Sequence, residues 1–207
     1  MMAQGQFITL EGGEGVGKST LARGLQAALS NRAEIVLTRE PGGAPGADAI
    51  RALLVQGESN RWSPMEEALL FAAARLNHLT QTIQPALSRG AWVISDRYYD
   101  STRAYQVAAG GLDAATLEAL NSMIQAPAPD LTLVLDLDPN TGVGRSRGAS
   151  VGEDRFEKKG ADFHARVRAE FLAIAQREPK RCAVLDASQP ADAVLAAALA
   201  AIEERLK

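Results

Sequence analysis

Cysteine is nearly missing from this chain: 207 residues contain one, Cys182. A lone thiol closes no internal disulfide and assembles no thiolate metal site, and it suits the reducing cytoplasm. No apolar run reaches the ~18 residues that a membrane-spanning helix requires. The first residues, Met1 to Gln6, lack the basic start and apolar stretch of a secretory leader. An excess of one charge is also missing. The net charge of −3 gives no general affinity for nucleic acid or an anionic membrane, so neither is an expected partner. No internal repeat or low-complexity linker interrupts the chain. The balance, 46% hydrophobic and 23% charged residues, is that of a globular protein long enough to bury a full core as one domain over 1–207.

Five apolar runs bounded by turn signals predict buried strands: Phe7 to Leu10, Ile35 to Thr38, Ala91 to Ser95, Leu131 to Leu137 and Ala183 to Asp186. Helical periodicity fills the intervals, at Ser19 to Leu29, Asp48 to Val55, Asp113 to Ile124, Asp162 to Glu178 and Ala191 to Leu206. A longer helix opens at Ser63, with Pro64 at its first position and Glu66 completing a capping box. Pro85 is expected to kink or end it. The stripe Phe163, Val167, Phe171 and Ile174 reads as core. Strands alternating with helices predict an α/β fold, a parallel sheet covered on both faces. The stretch from Gly142 to Gly160, rich in glycine and charge, reads as a mobile flap outside the sheet.

The first strand runs into Glu11-Gly12-Gly13-Glu14-Gly15-Val16-Gly17-Lys18-Ser19-Thr20. Gly12 to Ser19 matches the phosphate-binding pattern G-x-x-x-x-G-K-[ST]. Glycines let backbone N–H groups converge on phosphate oxygens. Lys18 reaches the β- and γ-phosphates, and the Ser19 hydroxyl ligates Mg²⁺. The helix that follows points its N-terminus at the anion.

A P-loop alone does not name a substrate. A switch GTPase would carry Asp-x-x-Gly and Asn-Lys-x-Asp, and neither occurs. A kinase of small acceptors needs a second anion site and a base pocket. Asp96-Arg97-Tyr98 ends the third strand, and Arg39 in Thr38-Arg39-Glu40-Pro41-Gly42-Gly43 follows the second, at the sheet edge where ligands bind. Phe71 and Arg75 lie four residues apart, hence on one helical face, where they can stack on a base and hydrogen-bond its edge. The bland alternatives are a core aromatic and an exposed helix arginine. Asp136 and Asp138 either form a second carboxylate pair at a metal or cap the helix after Pro139, and the cap is preferred. His78 and His164 read as structural.

These motifs, with Leu69 to Arg75, Ala104-Tyr105-Gln106, Asp154-Arg155-Phe156-Glu157 and Asp186 to Gln189, resemble the thymidylate kinase family along nearly the whole chain. The resemblance implies a P-loop nucleoside-monophosphate-kinase-like fold, with a five-stranded parallel sheet and a lid over about residues 142–160. It implies ATP as phosphate donor, dTMP as acceptor, dTDP as product, Mg²⁺ as cofactor and a homodimer. Residue by residue, it implies that Phe71 stacks on thymine and Arg75 bonds its edge. Arg39 and Arg97 hold the acceptor phosphate, with Arg51 a weaker candidate. Thr102 and Gln106 contact the base. Tyr105 packs near the sugar and disfavours a 2′-hydroxyl, while Glu14 faces the 3′-hydroxyl. Asp96 helps Ser19 hold Mg²⁺. ATP contacts span Gly12 to Thr20, including Gly13, Gly15, Val16 and Gly17, with Ala187 and Arg147 near adenine. The lid arginines Arg145, Arg147 and Arg155 act as catalytic cations beside Lys18 and Arg97, with Arg155 the first choice.

One position departs from part of the family. Where some members carry a P-loop arginine after the loop acid, this chain has Gly15, which implies the bacterial arrangement with cations supplied by the lid. The attacking oxygen belongs to a phosphate that is already ionised, so no general base is assigned. Catalysis is alignment plus charge stabilisation. The readings from other classes are a P-loop switch or partition ATPase and a non-catalytic nucleotide-binding module.

Overall fold

The carboxyl ends of three neighbouring strands define where this molecule can act. The structure, a computed structural model, describes residues 5–146 and 155–206. The strands β1 (Phe7–Gly12), β2 (Ile35–Arg39), β3 (Trp92–Asp96), β4 (Leu131–Asp136) and β5 (Cys182–Asp186) form one parallel sheet in the order β2-β3-β1-β4-β5. Register places Asp96 beside both Leu10 and Arg39, and Gly12 beside Leu135. The P-loop therefore leaves from the sheet centre, with Asp96 and Arg39 on the same edge.

Side chains alternate across this doubly covered sheet. Ile8 and Leu10 join Leu21, Leu25 and Leu29 of α1 (Lys18–Leu29) and Ala198 and Ile202 of α9 (Ala191–Arg205) in one core cluster. On the other face Val134 meets Val167, Phe171 and Ile174 of α8 (Ala161–Arg177), the stripe read from the sequence. Emptying such a site, as in Leu25→Ala, costs about 2–5 kcal/mol. Two of the fully buried polar residues in the strands satisfy each other: the Thr9 and Thr132 hydroxyls bond at 2.7 Å across β1 and β4.

Helix starts follow their caps. In α3 (Pro64–His78), the Ser63 Oγ accepts from the Glu66 N–H at 3.3 Å while the Glu66 carboxylate accepts from the Ser63 N–H at 2.7 Å. α2 (Pro45–Val55) begins three residues before the expected Asp48, because Pro45 sits at a first-turn position where its missing N–H is harmless. Pro85 does not end the long helix. α3 widens into a π-helical turn, Leu79–Ile83, and resumes as α4 (Gln84–Ser88), with Pro85 absorbed at the restart. After β3 the chain makes α5 (Tyr99–Thr102) and a second π-helical turn, Arg103–Ala108, neither of which periodicity predicts. α6 (Ala114–Met123) is capped by Asp113. Asp138 caps the start of α7 (Pro139–Ser146), accepting from the Asn140 N–H at 2.9 Å, and Asp136 pairs with Arg168 at 2.7 Å. Asp138 thus caps the helix as preferred, whereas both Asp136 oxygens are taken by Arg168 and cap nothing. Among the described residues no helix is long and apolar enough to cross a membrane.

Candidate active site

The P-loop wraps as its glycines demand. Gly12 has φ 138°, and a Cβ there would stand 2.5 Å from the Leu135 carbonyl, so only glycine lets β1 pass so close to β4. Gly17 has φ 95° at the cap of α1, whose first residue is Lys18. The buried Lys18 ammonium folds back on its own loop, donating to the Gly13 carbonyl at 2.7 Å. Burial, then the nearby Arg97, pull it down to about 8, against the acids Asp96, Glu14 and Glu11. Beside it the exposed Ser19 hydroxyl donates to the Asp96 carboxylate at 2.9 Å.

Arg97 follows β3 with φ 71°, left-handed for a residue that carries a Cβ. Such strain costs of order 1–3 kcal/mol and collects at functional positions. What holds it is a web of acceptors. Its guanidinium donates to the Gly12 carbonyl at 2.8 Å, the Glu14 carboxylate at 3.0 Å, the Ser101 hydroxyl at 3.1 Å and the Tyr105 hydroxyl at 3.2 Å. Tyr105 in turn donates to Glu14 at 2.9 Å. Burial pushes Glu14 up, but Arg97 and Lys18 outweigh it and hold the carboxyl at about 2. Behind them Glu11 accepts from the Tyr98 N–H at 2.9 Å and the Ser101 hydroxyl at 2.6 Å. Burial and the Asp100 carboxylate lift Glu11 to about 8, against the donors it accepts from and Arg97.

A second group of side chains floors the same cleft, which encloses about 490 Å³ between the P-loop and α3. Phe71 lies half-buried at its wall, its ring centroid 6.3 Å from that of Phe156. Arg75 is buried at the floor. It donates to Glu40 at 2.8 Å, Thr102 at 3.1 Å and Asn121 at 3.3 Å, and it lies over the Tyr98 ring at 5.1 Å. Glu40 also takes His78 Nδ1 at 3.1 Å, whose Nε2 meets the Thr38 hydroxyl at 2.6 Å. His78 is thus structural, as read, with the specific task of bracing the acid that aims Arg75. Gln106 completes the floor and donates to Glu67 at 2.7 Å. At the mouth, Arg39 is exposed and makes no ion pair among the described residues, while Arg51 donates to the Pro41 carbonyl at 2.7 Å.

Three expectations need correction or lie outside the structure. Arg155, the favoured lid cation, does not line the cleft. It is fully buried, donating to the Leu54, Glu58 and Ser59 carbonyls and pairing with Glu67 at 2.5 Å. A guanidinium with its donors spent on α2, the turn after it and α3 is a structural tether in this arrangement. Ala187 packs its methyl into the core and donates its N–H to the Asp136 carbonyl, so its side chain serves the fold. Arg147, and the side chain of Arg145, lie outside the described residues. Sequence reasoning passed over Glu40 and Glu67, which hold the buried side chains of Arg75 and Gln106. Their signal was available for Glu67, which shares the i, i+4, i+8 stripe of Phe71 and Arg75.

A P-loop cradle facing an aromatic wall and a buried arginine is an arrangement for a nucleotide donor and a nucleobase-bearing acceptor. Comparison with known proteins agrees. A family model described as thymidylate kinase matches residues 10–198. The chain belongs to the thymidylate kinase family. It is 50% identical to a thymidylate kinase of Caulobacter vibrioides, covering 99% of both chains, and 47% identical to one of Dinoroseobacter shibae, covering 97% of both. The solved thymidylate kinase of Ehrlichia chaffeensis superposes with a TM-score of 0.80 at 30% identity, over 96% of this chain and 99% of that one. Thymidylate kinases transfer the γ-phosphate of ATP to dTMP, and this ATP-dependent step in nucleotide biosynthesis is the reaction that the cleft serves.

Proposed function

We propose that the cleft divides this reaction between two walls that share Arg97 and Glu14. The observation that supports the division most directly is the placement of both groups at one sheet edge. Lys18 and the loop amides lie on one side, Phe71 and Arg75 on the other, around a single cavity. The ATP phosphates occupy the cradle of Gly12 to Thr20. Thymine stacks on Phe71 with its edge toward Arg75, Thr102 and Gln106. The acceptor phosphate meets Arg97 and the exposed Arg39, with Arg51 bracing the Pro41 turn beside them. Glu14 and Tyr105 take the deoxyribose.

Ser19 and Asp96 fit a hard divalent cation: one hydroxyl and one carboxylate, already 2.9 Å apart at the cradle. Among the described residues no cluster of three protein ligands exists, so Mg²⁺ would be held by these two, water and phosphate oxygens. When bound it neutralises charge on the phosphates. The chain's own contribution is orientation and positive potential. Lys18 supplies the cation of the donor side, and Arg145 and Arg147 are the remaining candidates for lid cations.

The exposed stripe Met65, Leu69 and Leu76 on α3, beside Leu53 on α2, supports a homodimer formed on this face. The buried, unpaired Cys182 supports action in the reducing cytoplasm. A coupled ADP-release assay across nucleosides and nucleoside monophosphates tests the whole reading. dTMP should give the highest kcat/KM, with a requirement for ATP and Mg²⁺. A higher value for dCMP, dGMP, AMP or a nucleoside overturns it.

A further inference from the structure

Gln106 carries a polar atom without a partner at the floor of the cleft. Its side chain is 1% exposed, and its amide oxygen Oε1 meets no donor. The orientation of that amide is fixed from behind. Glu67, 4% exposed, offers only acceptors: one carboxylate oxygen takes the Gln106 Nε2 at 2.7 Å, the other takes Arg155 at 2.5 Å. A carboxylate cannot donate, so Gln106 must turn its NH₂ toward Glu67, and Oε1 is left for whatever enters the cleft. Arg75, alongside it, spends three of its five N–H groups on protein acceptors and keeps the rest.

The floor thus presents an acceptor next to donors. The Watson–Crick edge of thymine offers the complement, an N3–H donor beside the O4 acceptor. Cytosine offers the reverse, an N3 acceptor beside the N4 amino donor. A site that leaves a buried polar atom unpaired rejects the mismatched ligand strongly.

We propose that Glu67 is a specificity-determining positioning residue: by holding the Gln106 amide in one orientation, it makes the pocket read N3–H and so reject cytosine. This rests on the assignment of the base to the Phe71–Arg75 floor. Arg155 has a part in it, because its ion pair keeps the second Glu67 oxygen in place.

The decisive variant is Glu67→Gln. Arg155 still demands an acceptor, so the new glutamine turns its oxygen to Arg155 and its NH₂ to Gln106. Gln106 must then reverse, presenting a donor to the base. On the scale of one buried hydrogen bond exchanged for a mismatch, the dTMP:dCMP ratio of kcat/KM should fall by about 10-fold or more. The dTMP:dUMP ratio should stay within about 3-fold, because uracil shares N3–H and O4 with thymine. The double variant Glu67→Gln with Gln106→Glu restores an acceptor facing the base at unchanged net charge. It should bring the dTMP:dCMP ratio back to within about 3-fold of the native value. If Glu67→Gln does not fold, the double variant carries the same test. A dTMP:dCMP ratio unchanged in Glu67→Gln, an equal fall in dTMP:dUMP, or no recovery in the double variant overturns the role of Glu67. A native protein that does not prefer dTMP to dCMP overturns instead the base-site reading beneath it.

Discussion

The Arg97 guanidinium and the Glu14 carboxylate meet at 3.0 Å across 83 residues of chain, joining the P-loop to the end of β3. Each is the other's main counter-charge, and Glu14 stays ionised far below neutrality. Glu14→Gln keeps the shape and removes the charge. With a charged hydrogen bond worth ~1.5–3 kcal/mol, kcat/KM for dTMP should fall roughly 10- to 150-fold. Steady-state kinetics with both substrates check this. A change confined to the ATP KM would separate Glu14 from the acceptor side.

ATP binding should be sensitive to alkali through Lys18. Burial and the neighbouring Arg97 pull its ammonium down to about 8, below the usual lysine value. A triphosphate favours the charged form, so binding above that point must take up a proton. ATP affinity should therefore weaken as pH rises through about 8. Titration calorimetry at about pH 8.5, in two buffers of unequal ionisation enthalpy, reads the uptake directly. Up to one proton is expected, vanishing in Lys18→Met; no uptake in the native protein refutes the assignment.

Removing Arg155 should cost stability. Arg155→Ala strips Glu67 of its buried partner, and breaking such a pair costs about 3–5 kcal/mol. For a chain of this size that lowers Tm by about 6–20 °C. Arg145→Ala or Arg147→Ala should behave in the opposite way, with at least one losing ~10²-fold in kcat at little change in Tm. If Arg155→Ala instead keeps its Tm and loses kcat, the tether reading is wrong.

The apolar stripe on α3 gives a clean test of association. Leu69 is half exposed at its middle. Leu69→Glu should leave the fold intact and shift sedimentation equilibrium from dimer to monomer. A native protein that sediments as a monomer at micromolar concentration removes the interface from this face.

Much of this site was legible because it follows local rules. The P-loop is written in consecutive residues, and the i, i+4 spacing of Phe71 and Arg75 places both on the cleft side of α3. Strand ends located Arg39 and Arg97. What local rules cannot supply is a partner distant in sequence. Arg155 looks mobile beside a glycine-rich stretch, yet its acceptors are carbonyls 96 to 101 residues upstream. Ala187 sits in a motif with a functional look, but its small methyl fills the core beneath β5. The buried acids Glu40 and Glu67 depend on arginines distant in sequence, Arg75 and Arg155, which local rules do not place beside them.

The widened turn at Leu79–Ile83 has a mechanical meaning for the helix that carries Phe71 and Arg75. An α-helix advances by about 100° per residue, so one additional residue in a turn re-phases everything beyond it. Upstream of the turn the helix aims at the cleft; within and beyond it, Leu79, Ile83 and Ala86 aim at the core beside Phe7 and Val93. The extra residue lets one continuous rod satisfy two surfaces that a regular helix would set out of phase. Deleting a residue there would swing Phe71 and Arg75 about a sixth to a third of a revolution against the sheet. The cleft-facing side of α3 is thus clocked from a turn that lies outside the cleft.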